Sequence, residues 1–134
     1  MRALVIEDDL GNRRYLTHYL TKFGDVLEAP NGKVGIDLFL QTMAEGKTID
    51  VVFLDVFMPE QSGHEVQQVI REWEKEHQIP YKNRVKLILA TGAAETEYVL
   101  EGFRLGCDLY LPKPFTASQI SGFLKEIGYL PLEG

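Results

Sequence analysis

Residues 51–55 read Val51-Val52-Phe53-Leu54-Asp55. Four consecutive apolar residues without polar alternation describe a strand buried on both faces, and such a strand needs a layer of helices on each side of its sheet. A carboxylate follows directly, so a charge stands at the end of the most buried segment of the chain. Upstream, Asn31-Gly32 begins a helix that turns Val34, Ile36, Leu38, Phe39 and Met43 inward and is closed by Gly46. Downstream, Ser62 caps a helix that carries Val66, Val69, Ile70 and Trp73 inward, with Arg71, Glu72, Lys75 and Glu76 as a solvated face.

The alternation continues to both ends. Ala3 to Ile6 reads as a strand, and Asn12 to Phe23 as a helix whose Tyr15, Leu16, Tyr19, Leu20 and Phe23 form a core stripe. Asp25 to Ala29 is a second strand. Gln78 to Arg84, interrupted by Pro80, is a connection that is long for this layout. Val85 to Ala90 is a fourth strand, Glu95 to Leu105 a helix ended by Gly106, and Cys107 to Leu111 a fifth strand. Pro112-Lys113-Pro114 stiffens a turn, and Thr116 or Ser118 begins a last helix with Ile120, Phe123, Leu124 and Ile127 inward. Five strand–helix repeats with right-handed crossovers predict one three-layer α/β domain over residues 1–134, with a core of about 3–127 and a short tail at 128–134. No second domain is expected.

Composition narrows the function. The chain has 134 residues, 45 % of them apolar, enough for one core. Its 20 acidic and 14 basic residues give a net charge of −6, which disfavours direct binding to nucleic acid. The single cysteine, Cys107, closes no intrachain disulfide and reads as a small buried residue, so a cytoplasmic location is expected. The N-terminus meets Glu7 and Asp8 too early for a signal peptide, and no stretch approaches the ~20 apolar residues of a membrane span.

In an open parallel sheet, ligands bind beyond the carboxyl ends of the strands. The residues there are Glu7-Asp8-Asp9, Asp55, Thr91 and Lys113. If the winding reverses after the second strand, the first and third strands become neighbours and their acids share one crevice. Converging carboxylates repel unless a hard divalent cation neutralises them, and Mg²⁺ suits a few carboxylates, a backbone carbonyl and retained waters. Lys113 can pair with Asp55 or with a phosphoryl oxygen, and the Thr91 hydroxyl can donate a hydrogen bond. Together these groups describe a phosphoryl site in which an ionised carboxylate attacks phosphorus without a general base. His18, His64 and His77 fall on or beside helices, away from the crevice, and read as surface residues.

Three motifs in order resemble the receiver domain of two-component response regulators: Leu4-Val5-Ile6-Glu7-Asp8-Asp9, then Leu54-Asp55-Val56-Phe57-Met58-Pro59 with Ser62-Gly63, then Tyr110-Leu111-Pro112-Lys113-Pro114-Phe115. The resemblance covers Ala3 to about Ile127. It implies a doubly wound, flavodoxin-like (βα)₅ fold with a five-stranded parallel sheet of order 2-1-3-4-5. It further implies Asp55 as phosphoacceptor and a Mg²⁺ or Mn²⁺ ion on Asp8, on Asp55, on Glu7 through water and on the Phe57 carbonyl. Lys113 and Thr91 would hold the phosphoryl group, and Thr91 with Tyr110 would form the switch. Asp9, one place beyond the acidic pair, is expected to support the charge or start the helix. The positions flanking the site that could guide water are Phe57 and Ala93, neither of them polar, so slow self-dephosphorylation is expected.

The resemblance also implies a sensor histidine kinase or a histidine phosphotransfer protein as donor, and an output protein reached in trans through the fourth helix, fifth strand and fifth helix. Glu97, Tyr98, Glu101 and Arg104 are candidates on that surface. A turnover enzyme is not expected. An aspartyl-nucleophile phosphatase would carry a second Asp two places after Asp55, where Phe57 stands. A flavin-binding module would not place acids where the flavin phosphate lies. The remaining alternative is a receiver-like interaction domain that works without phosphorylation.

Overall fold

The computed structural model describes residues 1–56, 62–92 and 96–132; the side chains of Thr91, Thr96 and Tyr98 lie outside that description. Five strands, β1 (Arg2–Ile6), β2 (Asp25–Ala29), β3 (Val51–Asp55), β4 (Lys86–Thr91) and β5 (Leu109–Pro112), alternate with helices α1 (Leu10–Leu20), α2 (Gly32–Ala44), α3 (Gly63–Glu76), α4 (Thr96–Arg104) and α5 (Ala117–Glu126). The sheet is parallel throughout and ordered β2-β1-β3-β4-β5, as the resemblance implies.

Each central strand feeds two cores, because successive side chains leave opposite faces of the sheet. Leu4, Ile6, Val52, Leu54, Leu87 and Leu89 join Phe39, Val66 and Ile70 on one face. Ala3, Val5, Val51, Phe53, Ile88 and Ala90 join Leu16, Leu20, Ile120 and Leu124 on the other. Full burial of each large aliphatic contributes about 1.5–3 kcal/mol, so the sheet centre is the most strongly held part of the domain.

Several local expectations change. Tyr15 is 53 % exposed, so the α1 stripe narrows to Leu16, Leu20 and the partly buried Tyr19, with Phe23 buried beyond the helix end. In α2, Val34, Ile36, Leu38 and Met43 are only partly buried, and Gly35 makes the closest approach: a Cβ there would lie 2.3 Å from Ile6 Cδ1. Thr116 rather than Ser118 caps α5, in a reciprocal capping box with Gln119. The long connection after α3 contains a single 3₁₀ turn, Tyr81–Asn83.

The largest correction concerns α3. Arg71 is not part of a solvated face: its guanidinium donates to the Val85 carbonyl (2.8 Å) and the Gly106 carbonyl (2.7 and 3.1 Å), and it pairs with Glu74 (2.7 Å) and Asp108 (3.0 Å). Glu74 is buried and accepts from the Val85 amide at 2.7 Å. Asp108 accepts from the Leu87 amide at 2.8 Å, so β5 begins at Leu109 and not at Cys107. His64 is half-buried near Gly102 of α4 and is not a surface residue.

Candidate functional site

The sheet register builds the site. Ile6 pairs with Leu54 and Asp55 with Ala90, while Leu111 pairs with Ala90 and Pro112 with Thr91. Glu7, Asp55 and Lys113 therefore leave three neighbouring strands at one end of the sheet. Backbone bonds hold the edges: the Glu7 amide donates to the Ala29 carbonyl (3.1 Å) and the Val56 amide to the Ala90 carbonyl (3.3 Å).

The start of α3 is pressed against the same end. The Gly63 amide donates to the Val56 carbonyl at 3.0 Å, and a Cβ on Gly63 would lie 2.5 Å from the Asp55 carbonyl oxygen. Only a residue without a side chain fits so close to that backbone. Asp9 caps α1 by accepting from the Asn12 amide at 2.8 Å, which makes it a helix-start residue. Arg13, which sequence reasoning did not single out, donates to the Glu7 carbonyl at 2.9 Å and pairs with Glu28 at 3.5 Å. Its signal is positional, one helical turn after the Asp9 cap.

Glu7, Asp8 and Asp55 each offer a carboxylate oxygen, and these oxygens lie within 4.8 Å of one another. Glu7 is 3 % exposed, and its Oε2 is buried without a hydrogen-bond donor among the described residues. Burial, and then the neighbouring Asp55, push the Glu7 carboxyl above the usual carboxylate range against the opposing pull of Lys113. Asp8 is also pushed up, by partial desolvation and then by Glu7. Lys113 Nζ lies 2.7 Å from Glu7 Oε1 and 3.2 Å from Asp55 Oδ2. Burial would lower its pKa, but its bond to Glu7 and the charge of Asp55 outweigh that and raise it. A buried carboxylate oxygen without a donor, beside two further acids and a single ammonium, fits a hard divalent cation.

The structure thus brings together Glu7, Asp8, Asp55 and Lys113. Thr91 ends β4 at the same sheet end, and its hydroxyl lies outside the described residues, as do Phe57 with its carbonyl and Ala93. Tyr110 is half-buried and packs against the core on the α2–α3 face. On α4, Arg104 is engaged by Glu101 through two hydrogen bonds (2.5 and 2.8 Å), while Leu100 and Phe103 are 62 % and 50 % exposed.

The fold and this strand-end cluster define a receiver module, and comparison with known proteins agrees. The chain belongs to the response regulator receiver domain family, whose sequence model matches residues 3–125. It is 30 % identical over 121 residues to a probable transcriptional regulatory protein, SilR, of Salmonella typhimurium, covering 90 % of this chain and 47 % of that protein. It is 30 % identical over 128 residues to hybrid signal transduction histidine kinase L of Dictyostelium discoideum, covering 95 % of this chain and 7 % of that protein. The chain therefore spans about half or less of the length of these relatives. Among solved structures, the receiver domain of the histidine kinase CKI1 from Arabidopsis thaliana, complexed with Mg²⁺ and BeF₃⁻, superposes with a TM-score of 0.79. The two are 28 % identical, and the match covers 94 % of this chain and 88 % of that one. No helix among the described residues is long and apolar enough to cross a membrane.

Proposed function

We propose that this domain accepts a phosphoryl group on Asp55 from a phosphohistidine of a sensor histidine kinase or phosphotransfer protein, and that the modified surface then controls a partner protein. The observation that carries this reading is the Glu7, Asp8 and Asp55 cluster, its oxygens within 4.8 Å, closed by Lys113. The hybrid kinase relative and the Mg²⁺–BeF₃⁻ complex of the CKI1 receiver support it.

An Asp55 carboxylate oxygen attacks phosphorus. The new O–P bond forms as the P–N bond to the donor imidazole breaks, and the imidazole nitrogen keeps the electron pair and later takes a proton from water. An ionised carboxylate has no proton to lose, so no base is needed. Glu7, Asp8, Asp55 and the Phe57 carbonyl would hold Mg²⁺ or Mn²⁺, which supplies positive charge to the phosphoryl oxygens. Lys113 offers a second cation to the same oxygens, at the cost of its bond to Asp55. The Thr91 hydroxyl donates to the group and Tyr110 follows inward, which biases the α4–β5–α5 surface between two states.

Intact-mass measurement after acetyl phosphate and Mg²⁺ tests this. One phosphoryl mass is expected on the wild type and none on Asp55→Asn. No addition to the wild type leaves the phosphorylation-independent interaction domain as the surviving reading, and equal addition to the variant removes Asp55 as the acceptor.

A further inference from the structure

The long connection after α3 carries Tyr81 with 79 % of its surface exposed, and across from it Phe103 of α4 is 50 % exposed. Between them lies a cleft of about 390 Å³, bounded by Arg84 and Lys86 on one side and by Leu105 and Gly106 on the other. Arg84 and Lys86 approach the Tyr81 ring, at 5.9 and 6.0 Å from its centroid. Neither makes an ion pair with a carboxylate among the described residues, whereas the neighbouring Arg71 and Arg104 are both neutralised by acids of their own. The cleft lining thus carries four cations, Arg71, Arg84, Lys86 and Arg104, against one acid, Asp108, which Arg71 already engages, on a chain of net charge −6.

The far wall is held in place. Arg71 donates to the Gly106 carbonyl at 2.7 and 3.1 Å, and the buried Gln67 donates to the Gly102 carbonyl at 2.8 Å, so the C-terminal half of α4 is tied to α3. The cleft lies at the opposite end of the sheet from the acids. Lys86 begins β4, and Ala90, the partner of Asp55, lies four residues on, ~13 Å at the usual strand rise.

We propose that this cleft docks an acidic segment of another protein, its carboxylates on Arg84 and Lys86 and an apolar side chain between Tyr81 and Phe103. Rings this exposed cannot enclose a small molecule, whereas tyrosine and arginine anchor protein interfaces. The charge left uncompensated selects an acidic partner. Arg71 and Gln67 tie the C-terminal end of α4 to α3, so the switch proposed for the α4–β5–α5 surface leaves this wall in place, and docking is independent of the state of Asp55.

Short random peptides selected on the full chain, with affinities then read by fluorescence anisotropy, test the proposal. Selected sequences should be acidic with an aromatic or aliphatic residue. Their affinity should fall roughly tenfold or more in Arg84→Glu/Lys86→Glu and in Tyr81→Ala, and be equal with and without Mg²⁺ and beryllofluoride. Unchanged amide spectra outside residues 81–86 and 103–108 would show that both variants remain folded. Selection of neutral or basic peptides overturns the proposal, as does binding that survives both variants or changes with beryllofluoride. Competition by inorganic triphosphate at equal concentration would reassign the cleft to small polyanions. Self-association of the wild type that these variants abolish would reassign it to a second copy of the chain. Failure of phosphorylation at Asp55 leaves this test unaffected.

Discussion

Lys113 and Glu7, 106 residues apart, are joined by a 2.7 Å hydrogen bond, shorter than the 3.2 Å bond between Lys113 and Asp55. Glu7 therefore acts as the anchor that stations the ammonium beside Asp55. Lys113→Met should leave three acids without their ammonium and cost about 1–3 kcal/mol of stability in urea at neutral pH. The double variant Glu7→Gln/Lys113→Met should recover part of that loss. A double variant no more stable than Lys113→Met would show that the pair does not act as a unit.

The raised proton affinities of Glu7 and Asp8 set a pH dependence. A carboxyl whose folded pKa lies above its unfolded value stabilises the fold fully below the unfolded pKa, and that contribution is lost as pH rises through the folded pKa. The cation-free domain should thus lose stability from acid towards neutral pH, and Mg²⁺, which needs the ionised carboxylates, should restore it. Thermal melts with Mg²⁺ and with EDTA should coincide near pH ~4, around the ordinary carboxylate pKa, and separate progressively towards neutrality. An increment that does not vary with pH, or that persists in Asp8→Asn, would remove the acids as its source.

Gly63 sits where a Cβ would meet the Asp55 carbonyl oxygen at 2.5 Å and the Val56 Cα at 2.9 Å. Because both are backbone atoms, neither can rotate away. Gly63→Ala should cost about 1–3 kcal/mol and slow phosphoryl uptake by displacing the end of β3. Gly35→Ala is the control. Its clash is with side-chain atoms of Ile6, Cδ1 at 2.3 Å and Cγ1 at 2.7 Å, which can shift where backbone cannot, so Gly35→Ala should cost less than Gly63→Ala and leave phosphoryl uptake near wild type.

Glu74 is a buried carboxylate that Arg71 neutralises at 2.7 Å. Arg71→Met strands that charge and should cost about 3–5 kcal/mol, whereas Arg71→Met/Glu74→Leu should be markedly more stable than the single variant. Chemical denaturation of the three proteins reads the difference. Equal stability of single and double variants would mean that Glu74 does not depend on Arg71.

The strand-end acids and Lys113 could be placed from sequence because a parallel sheet sends every strand's carboxyl end to one side. Arg71 and Glu74 could not. They lie in a helical stretch whose charged pattern resembles a solvated face, and their partners, the Gly106 carbonyl, Asp108 and the Val85 amide, come from distant loops. Tyr15 misled for the converse reason: helical spacing marks the apolar side of α1 but not how wide a strip the sheet covers.

The sequence alone determined the five repeats, the Asn31 and Ser62 caps and the identity of the charged strand ends, because these follow from local periodicity and from the chemistry of single residues. Tertiary structure alone decided that Lys113 bonds Glu7 more closely than Asp55, that Gly63 abuts the Asp55 backbone, and that Arg71 ties α3 to the end of α4. Those relations depend on distances between segments far apart in the chain, which the register of the sheet and the close packing of its two cores set together.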